Sequence, residues 1–238
     1  MRDTILFDLD GTLLPVDMDD FVKIYFKEMG KYFQDLIDAD KLIDNVLIGT
    51  KAMLTNKEKN KTNEQVFMET FEKLIDGNLN VYKERFDQYY DEGFLKIREI
   101  VRKEPLVREI ATVLKNKGYS LVVATNPLFP LKAILHRIHW AGLKPMDFIH
   151  ITSYENSSFC KPNLEYYEEI LEVIGKRPEQ CIMIGNDVSD DMVSSKLGME
   201  TFLITNHIVN SYNLPVNSDH KGTYEDLFLF VKELPDLV

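Results

Sequence analysis

Two aspartates one residue apart close an apolar run at the start of the chain, where Ile5-Leu6-Phe7 leads into Asp8-Leu9-Asp10-Gly11-Thr12. Carboxylates repel each other and burial disfavours their charged form, so such a pair at the end of a buried strand needs a neutralising partner. Three other stretches carry the same kind of side chain. Thr125 and Asn126 follow "LVVA", Lys161 precedes Pro162, and "GNDVSDD" (185–191) supplies Asn186, Asp187, Asp190 and Asp191. An oxygen-only set with few ligands suits Mg²⁺, which keeps several waters and completes its shell with phosphate. A carboxylate can also attack phosphorus and carry an acyl phosphate, splitting one hard step into two easier ones. Phosphoryl transfer otherwise asks for positioning and charge neutralisation, which a divalent cation, a lysine and a hydroxyl supply.

The elements that must hold these residues can be read from periodicity. "TILFD" (4–8) is a short apolar run, the pattern of a fully buried strand. From about Met18 to Arg102 the apolar spacing turns helical, with Phe21, Tyr25, Phe26, Met29, Tyr32, Phe33 and Leu36 following at threes and fours. A second helix runs through Leu42, Val46, Leu47 and Leu54. "TNEQ" (62–65) is a capping-box pattern opening a third, and a fourth is predicted from Val81 through Val101. After Pro105 the rhythm alternates. Helices over 105–117, about 130–141, 163–174 and near 189–197 separate strands at 120–125, 147–152, 181–185 and 200–205. A long loop is expected over 206–222, and a last helix near Thr223. Strands spaced by helices of this length predict βαβ units and a doubly wound parallel sheet. The helical stretch then reads as an insertion between the first strand and the rest. Its two crossings, near 14–18 and 102–105, would permit hinging.

The chain has 238 residues, 28 basic against 39 acidic, for a net charge of −11. This argues against nucleic-acid or anionic-membrane partners, which want a basic face. No apolar run approaches the roughly 18 residues of a membrane helix. The N-terminus does not read as a signal peptide, and Cys160 and Cys181 form no CxxC and no disulfide framework, so a reducing, cytoplasmic setting is expected. His136 and His139 lie three apart on a predicted helix, but without an evident carboxylate or cysteine partner they read as packing residues.

In open parallel sheets ligands bind beyond the carboxyl ends of the strands, and each chemical cluster falls at such an end. The chain resembles the haloacid dehalogenase-like (HAD) hydrolases, in the phosphatase branch with a C1-type helical cap. "DLDGT" (8–12), Thr125, Lys161 and "GNDVSDD" (185–191) stand in the order of the family's four motifs. The resemblance implies a Rossmann-like α/β core at 1–16 and 104–238 and a helical cap at 17–103. It implies an Mg²⁺-dependent phosphomonoester hydrolase acting on a small phosphorylated metabolite, as a monomer or weak homo-oligomer. Asp8 would be the nucleophile and Asp10 the acid and base. Thr125, Asn126, Lys161, Gly11 and Thr12 would hold phosphate. Asp8, Asp10 (through its main-chain carbonyl) and Asp187 would bind the metal. Asp191 would orient the metal's water shell beside Asn186, where many relatives carry an acidic residue.

Taken singly, the motifs have plainer readings. Asp10-Gly11 could be an ordinary turn, Thr125-Asn126-Pro127 another, and Lys161-Pro162 a helix start with an exposed lysine. Asp190 and Asp191 would be favoured at a helix N-terminus in any case, and Asp190 reads as a solvated neighbour. Alternative functions are a phosphomutase with the same machinery, a dehalogenase, and a phospho-receiver. Asp10 counts against a dehalogenase, which needs no acid there, and a receiver has about half this length and no inserted helices.

Overall fold

The computed structural model describes residues 1–237. Among them, strands β1 (Thr4–Phe7), β2 (Ser120–Val123), β3 (His150–Ile151), β4 (Cys181–Gly185), β5 (Glu200–Ile204) and β6 (His220–Gly222) form one sheet. Their order is β3-β2-β1-β4-β5-β6, and every pairing is parallel. The chain builds outward from β1 through β2 to β3, then returns to place β4 on the other side of β1. That reversal between β1 and β4 opens a crevice at the strands' carboxyl ends.

Both faces of the sheet are covered, and the period-2 alternation of strand side chains divides the core. Ile5, Phe7, Leu121, Val123, Ile182 and Ile184 pack on one face with residues of α5 (Pro105–Asn116), α6 (Leu131–Trp140) and α8 (Tyr224–Glu233). Leu6, Val122 and Met183 pack on the other with Tyr166, Tyr167, Ile170 and Leu171 of α7 (Leu164–Ile174). Fully burying one such apolar side chain contributes about 1.5–3 kcal/mol. This is why four-residue strands suffice here.

Helices α1 (Met18–Phe33), α2 (Ala39–Thr55), α3 (Asn63–Glu72) and α4 (Leu79–Asp91) lie between β1 and α5 in the chain. Asp17 caps α1 by accepting from the backbone of Asp19 and Asp20, and Thr62 with Gln65 forms the expected capping box on α3. Phe33, Phe67, Phe71, Tyr82 and Phe86 pack ring against ring within these helices. The inserted helices also grip the sheet-bearing part. Phe21, Tyr25 and Phe94 meet Phe129, Phe94 stacks on Trp140, and the Asn63 and Glu64 amides donate to the Ser157 and Tyr154 carbonyls. Their apolar residues belong to the same core cluster as one face of the sheet.

The structure differs from the sequence expectations at four places. The fourth inserted helix stops at Asp91, and Gly93–Ile100 continues as a 3₁₀ segment. The rings of Tyr32 and Tyr89 occupy the space a Cβ at position 93 would need, so the chain is closed in there. Strand 147–152 shortens to His150–Ile151, because Pro145 starts a 3₁₀ turn. The helix near 189–197 is a 3₁₀ turn, Met192–Leu197. The loop 206–222 ends in β6, whose sequence His-Lys-Gly carries no apolar alternation to announce it. Among the described residues no helix is long and apolar enough to cross a membrane. Both cysteines are buried and free.

Candidate active site

The carboxyl ends of β1, β2 and β4, with the loop before α7, surround one cavity of about 900 Å³. Asp8, Asp10, Thr125, Lys161 and Asp187 all line it.

Asp8 follows the last residue of β1, and its amide donates to Ile184 O (2.9 Å), so the sheet register itself sets its position. Lys161 is not exposed. Its ammonium is buried and donates to Asp8 Oδ1 (2.9 Å) and Asp191 Oδ1 (2.6 Å). Burial alone would pull the lysine's pKa down, but the Asp191 and Asp8 carboxylates outweigh it and hold the ammonium well above its usual range.

Asp191 is completely buried, and its second oxygen accepts from the Asp187 amide (2.9 Å). Its carboxylate occupies the space that a Cβ at Gly185 would fill, so the end of β4 requires glycine. Asp187 Oδ1 accepts from Ser189 N, Ser189 Oγ and Asp190 N at 2.7–2.8 Å, which folds the loop and leaves its other oxygen unused in that turn. Asp190 is not a freely solvated neighbour. It lines the cavity, Tyr167 donates to its carbonyl (2.6 Å), and burial pushes its carboxyl up to about 6.

After Asp10 the chain reverses. Gly11 has φ +86°, its amide donates to Leu14 O, and a side chain there would strike the Asn186 amide group. Thr12 lies behind this turn, where its hydroxyl donates to Asn186 Oδ1 (3.1 Å) and its carbonyl accepts from Tyr224 (2.9 Å). Asn186 Nδ2 donates to His207 O (2.7 Å), so Asn186 ties three loops together. The Thr125 carbonyl is fixed by Thr152 Oγ1 (2.7 Å) and Tyr166 OH (2.8 Å), with Asn126 beside it in the cavity wall.

Asp10 forms an ion pair with Arg137 of α6. Burial raises the Asp10 carboxyl even though this guanidinium opposes it. Among the described residues no three His, Cys, Asp or Glu side chains group so as to hold a metal alone. His136 packs against both Phe94 and Trp140.

The site is thus an acidic crevice at the sheet's switch point, with the buried cations Lys161 and Arg137 paired to its carboxylates. A family model described as haloacid dehalogenase-like hydrolase matches residues 2–195. The chain belongs to the haloacid dehalogenase-like hydrolases. It is 28% identical over 204 residues to a phosphoglycolate phosphatase of Aquifex aeolicus, covering 84% of this chain and 83% of that protein. It is 24% identical over 225 residues to a glyceraldehyde 3-phosphate phosphatase of Methanothermobacter thermautotrophicus, covering 89% of each. The structure of a 2-haloacid dehalogenase from Pseudomonas syringae superposes with a TM-score of 0.65 at 18% identity over 98% of both chains. That last likeness concerns the fold alone.

Within this HAD-like hydrolase the sequence reading missed Arg137, Tyr166, Tyr167 and Tyr224. Arg137 had a signal: it shares the buried face of α6 with Ala133, Ile134 and Ile138, an odd place for an unpaired charge. The tyrosines looked like core residues, and only their hydroxyl partners reveal the second task.

Proposed function

We propose that this hydrolase is a phosphatase that cleaves a small phosphomonoester through an aspartyl-phosphate on Asp8. The observation that carries the reading is the buried Lys161 bridging Asp8 and Asp191 at the cavity wall. A buried ammonium between carboxylates adds positive charge where phosphoryl oxygens would lie. Asp10 is the neighbouring acid and base, and its raised pKa suits it to hold a proton for the leaving oxygen. Thr125 and the Asn126 amide would hold phosphoryl oxygens at the end of β2.

The donors fit Mg²⁺: Asp8, the Asp10 carbonyl and Asp187 offer oxygen only and leave room for waters, as that ion prefers. Bound there, Mg²⁺ would neutralise phosphate charge during transfer. Asp191, held by Lys161 and the Asp187 amide, would keep the loop of Asp187 in place. Residues 17–103 act as a C1-type cap selecting the substrate over a core of 1–16 and 104–238. Two buried free cysteines are in keeping with a cytoplasmic setting.

The relatives named for phosphoglycolate and glyceraldehyde 3-phosphate support a small phosphorylated metabolite as substrate. The test is a screen over such metabolites with Mg²⁺, alongside a 2-haloacid. Phosphate release that vanishes in Asp8→Asn is expected. Halide release without phosphate release would overturn the reading in favour of a dehalogenase.

A further inference from the structure

Lys and Arg place three cations along the cavity wall, and only two of them have carboxylate partners. Lys161 serves Asp8 and Asp191, and Arg137 serves Asp10. Arg102 lines the same cavity and is exposed, and among the described residues its side chain makes no ion pair and no hydrogen bond. It stands at the second crossing between the inserted helices and α5. Its amide donates to Pro15 O of the first crossing (3.3 Å), which ties the two crossings together where both meet the cavity. Val16 and Met18 from the first crossing, with Ile100 and Val101 from the second, give this part of the wall its apolar surface. The acids nearby in the chain are already engaged. Asp17 accepts from the first-turn amides of α1, Asp20 pairs with Lys23 (3.2 Å), and Glu99 pairs with Lys96 (3.8 Å).

We propose that Arg102 is a specificity-determining residue, selecting phosphomonoesters that carry a carboxylate at the end away from phosphorus. The proposal rests on the phosphatase reading above and names its substrate class. A cavity of about 900 Å³ is far larger than a phosphoryl group, so the rest of the substrate lies along walls such as this one. Carboxylates outnumber cations along the cavity, so a second negative charge on the substrate is repelled unless a free cation receives it. Arg102 is that cation. Its guanidinium stays charged and presents a planar fork of N–H donors that matches a carboxylate through two parallel hydrogen bonds. One guanidinium balances a monoanionic carboxylate, whereas a second, dianionic phosphoryl group would exceed it. A neutral chain end would leave the fork to water and gain nothing. The bond to Pro15 O holds the arginine's backbone at the crossing, so its reach into the cavity is set from there.

The experiment compares acids with their neutral amides. Wild type and Arg102→Gln are assayed with Mg²⁺ on phosphooxyacetate, 3-phosphooxypropanoate and 4-phosphooxybutanoate, on the three corresponding primary amides, and on phenyl phosphate. The three lengths sample the span between the phosphoryl end and the arginine. Wild type should favour the acid over its amide by about tenfold or more in kcat/KM at one length at least. Arg102→Gln should bring that ratio to about one, with the loss falling on the acids and not on the amides or phenyl phosphate. Glutamine replaces an exposed side chain without partners, so the fold is kept. A ratio near one at every length in wild type, or a ratio that Arg102→Gln leaves unchanged, would overturn the proposal. Equal losses on acids, amides and phenyl phosphate would mean that Arg102 holds the phosphoryl group or the local structure, and would overturn it too. The two readings separate cleanly. Hydrolysis of phenyl phosphate without any acid preference defeats the role of Arg102 alone. No phosphate release from any of the esters defeats the phosphatase reading, and this proposal with it.

Discussion

Lys161 Nζ lies 2.9 Å from Asp8 Oδ1, although 153 positions separate the two residues in the chain. The loop before α7 delivers the ammonium, the end of β1 delivers the carboxylate, and Asp191 holds the lysine from the other side. Removing the cation would leave two carboxylates facing each other inside the protein.

Lys161→Met should therefore abolish phosphatase turnover and cost about 3–5 kcal/mol of stability, the usual penalty for stranding one side of a buried ion pair. Urea denaturation at pH 8 measures it. The lysine's native pKa is raised above its ordinary 10.5, so its contribution is complete below that value and is lost as pH climbs through the native one. The gap between wild type and variant should stay level from pH 8 to 10 and narrow only above about 10.5. A gap that closes between pH 8 and 10 would contradict the ion-pair account.

Asp10 gives the activity its own pH dependence. Burial raises its carboxyl, with the Arg137 charge opposing, so the protonated acid persists above the ordinary carboxylate value of 3.8. For an ester with a poor leaving group, kcat/KM should fall as pH rises through this shifted value. Assayed on 2,4-dinitrophenyl phosphate, the Asp10→Asn variant should lack that limb. A limb that survives in Asp10→Asn belongs to another group.

How much of this was legible in the sequence depends on the kind of signal. β1, β2, β4 and β5 are apolar runs, and α5, α7 and α8 carry proline, glycine or capping punctuation, so these elements were readable. The motif residues Asp8, Thr125, Lys161 and Asp187 sit at strand ends or in the loops beyond them, where a doubly wound sheet must place them. β6 was not readable, because an edge strand of His, Lys and Gly buries little and shows no alternation. Nor was the break at Gly93, which follows from tertiary crowding by Tyr32 and Tyr89. The solvated reading of Asp190 failed because only the folded loop shows Tyr167 on its carbonyl.

Asn63 tests how firmly the inserted helices sit. Completely buried, it donates through its side chain to Pro127 O (3.3 Å) and Phe159 O (3.4 Å), and through its amide to Ser157 O (2.8 Å). Asn63→Ala should cost about 1–3 kcal/mol by stranding the Pro127 and Phe159 carbonyls, and proteolysis should become faster over 56–63. Unchanged proteolysis and stability would mean that the Asn63 side chain does not hold the helices down.

Chelation should abolish turnover, and added Mg²⁺ should restore it, while Ca²⁺, larger and less demanding of octahedral geometry, should restore less. Mg²⁺ should also raise Tm in wild type and much less in Asp187→Ala, a readout independent of turnover. Full activity in excess chelator would contradict the metal role given to Asp8, Asp10 and Asp187.

If Asp8 carries the phosphoryl group, a quenched-reaction mass measurement should find it there. Asp10→Asn, which should be slow to hydrolyse the intermediate, is mixed with Mg²⁺ and 2,4-dinitrophenyl phosphate, stopped in acid, and analysed as intact protein and as peptides. A mass gain of one phosphoryl group is expected, located on the peptide containing Asp8 and absent when Asp8→Asn is added to the same variant. A phosphoryl group on another residue, or steady phosphate release by Asp8→Asn in the wild-type background, would contradict it.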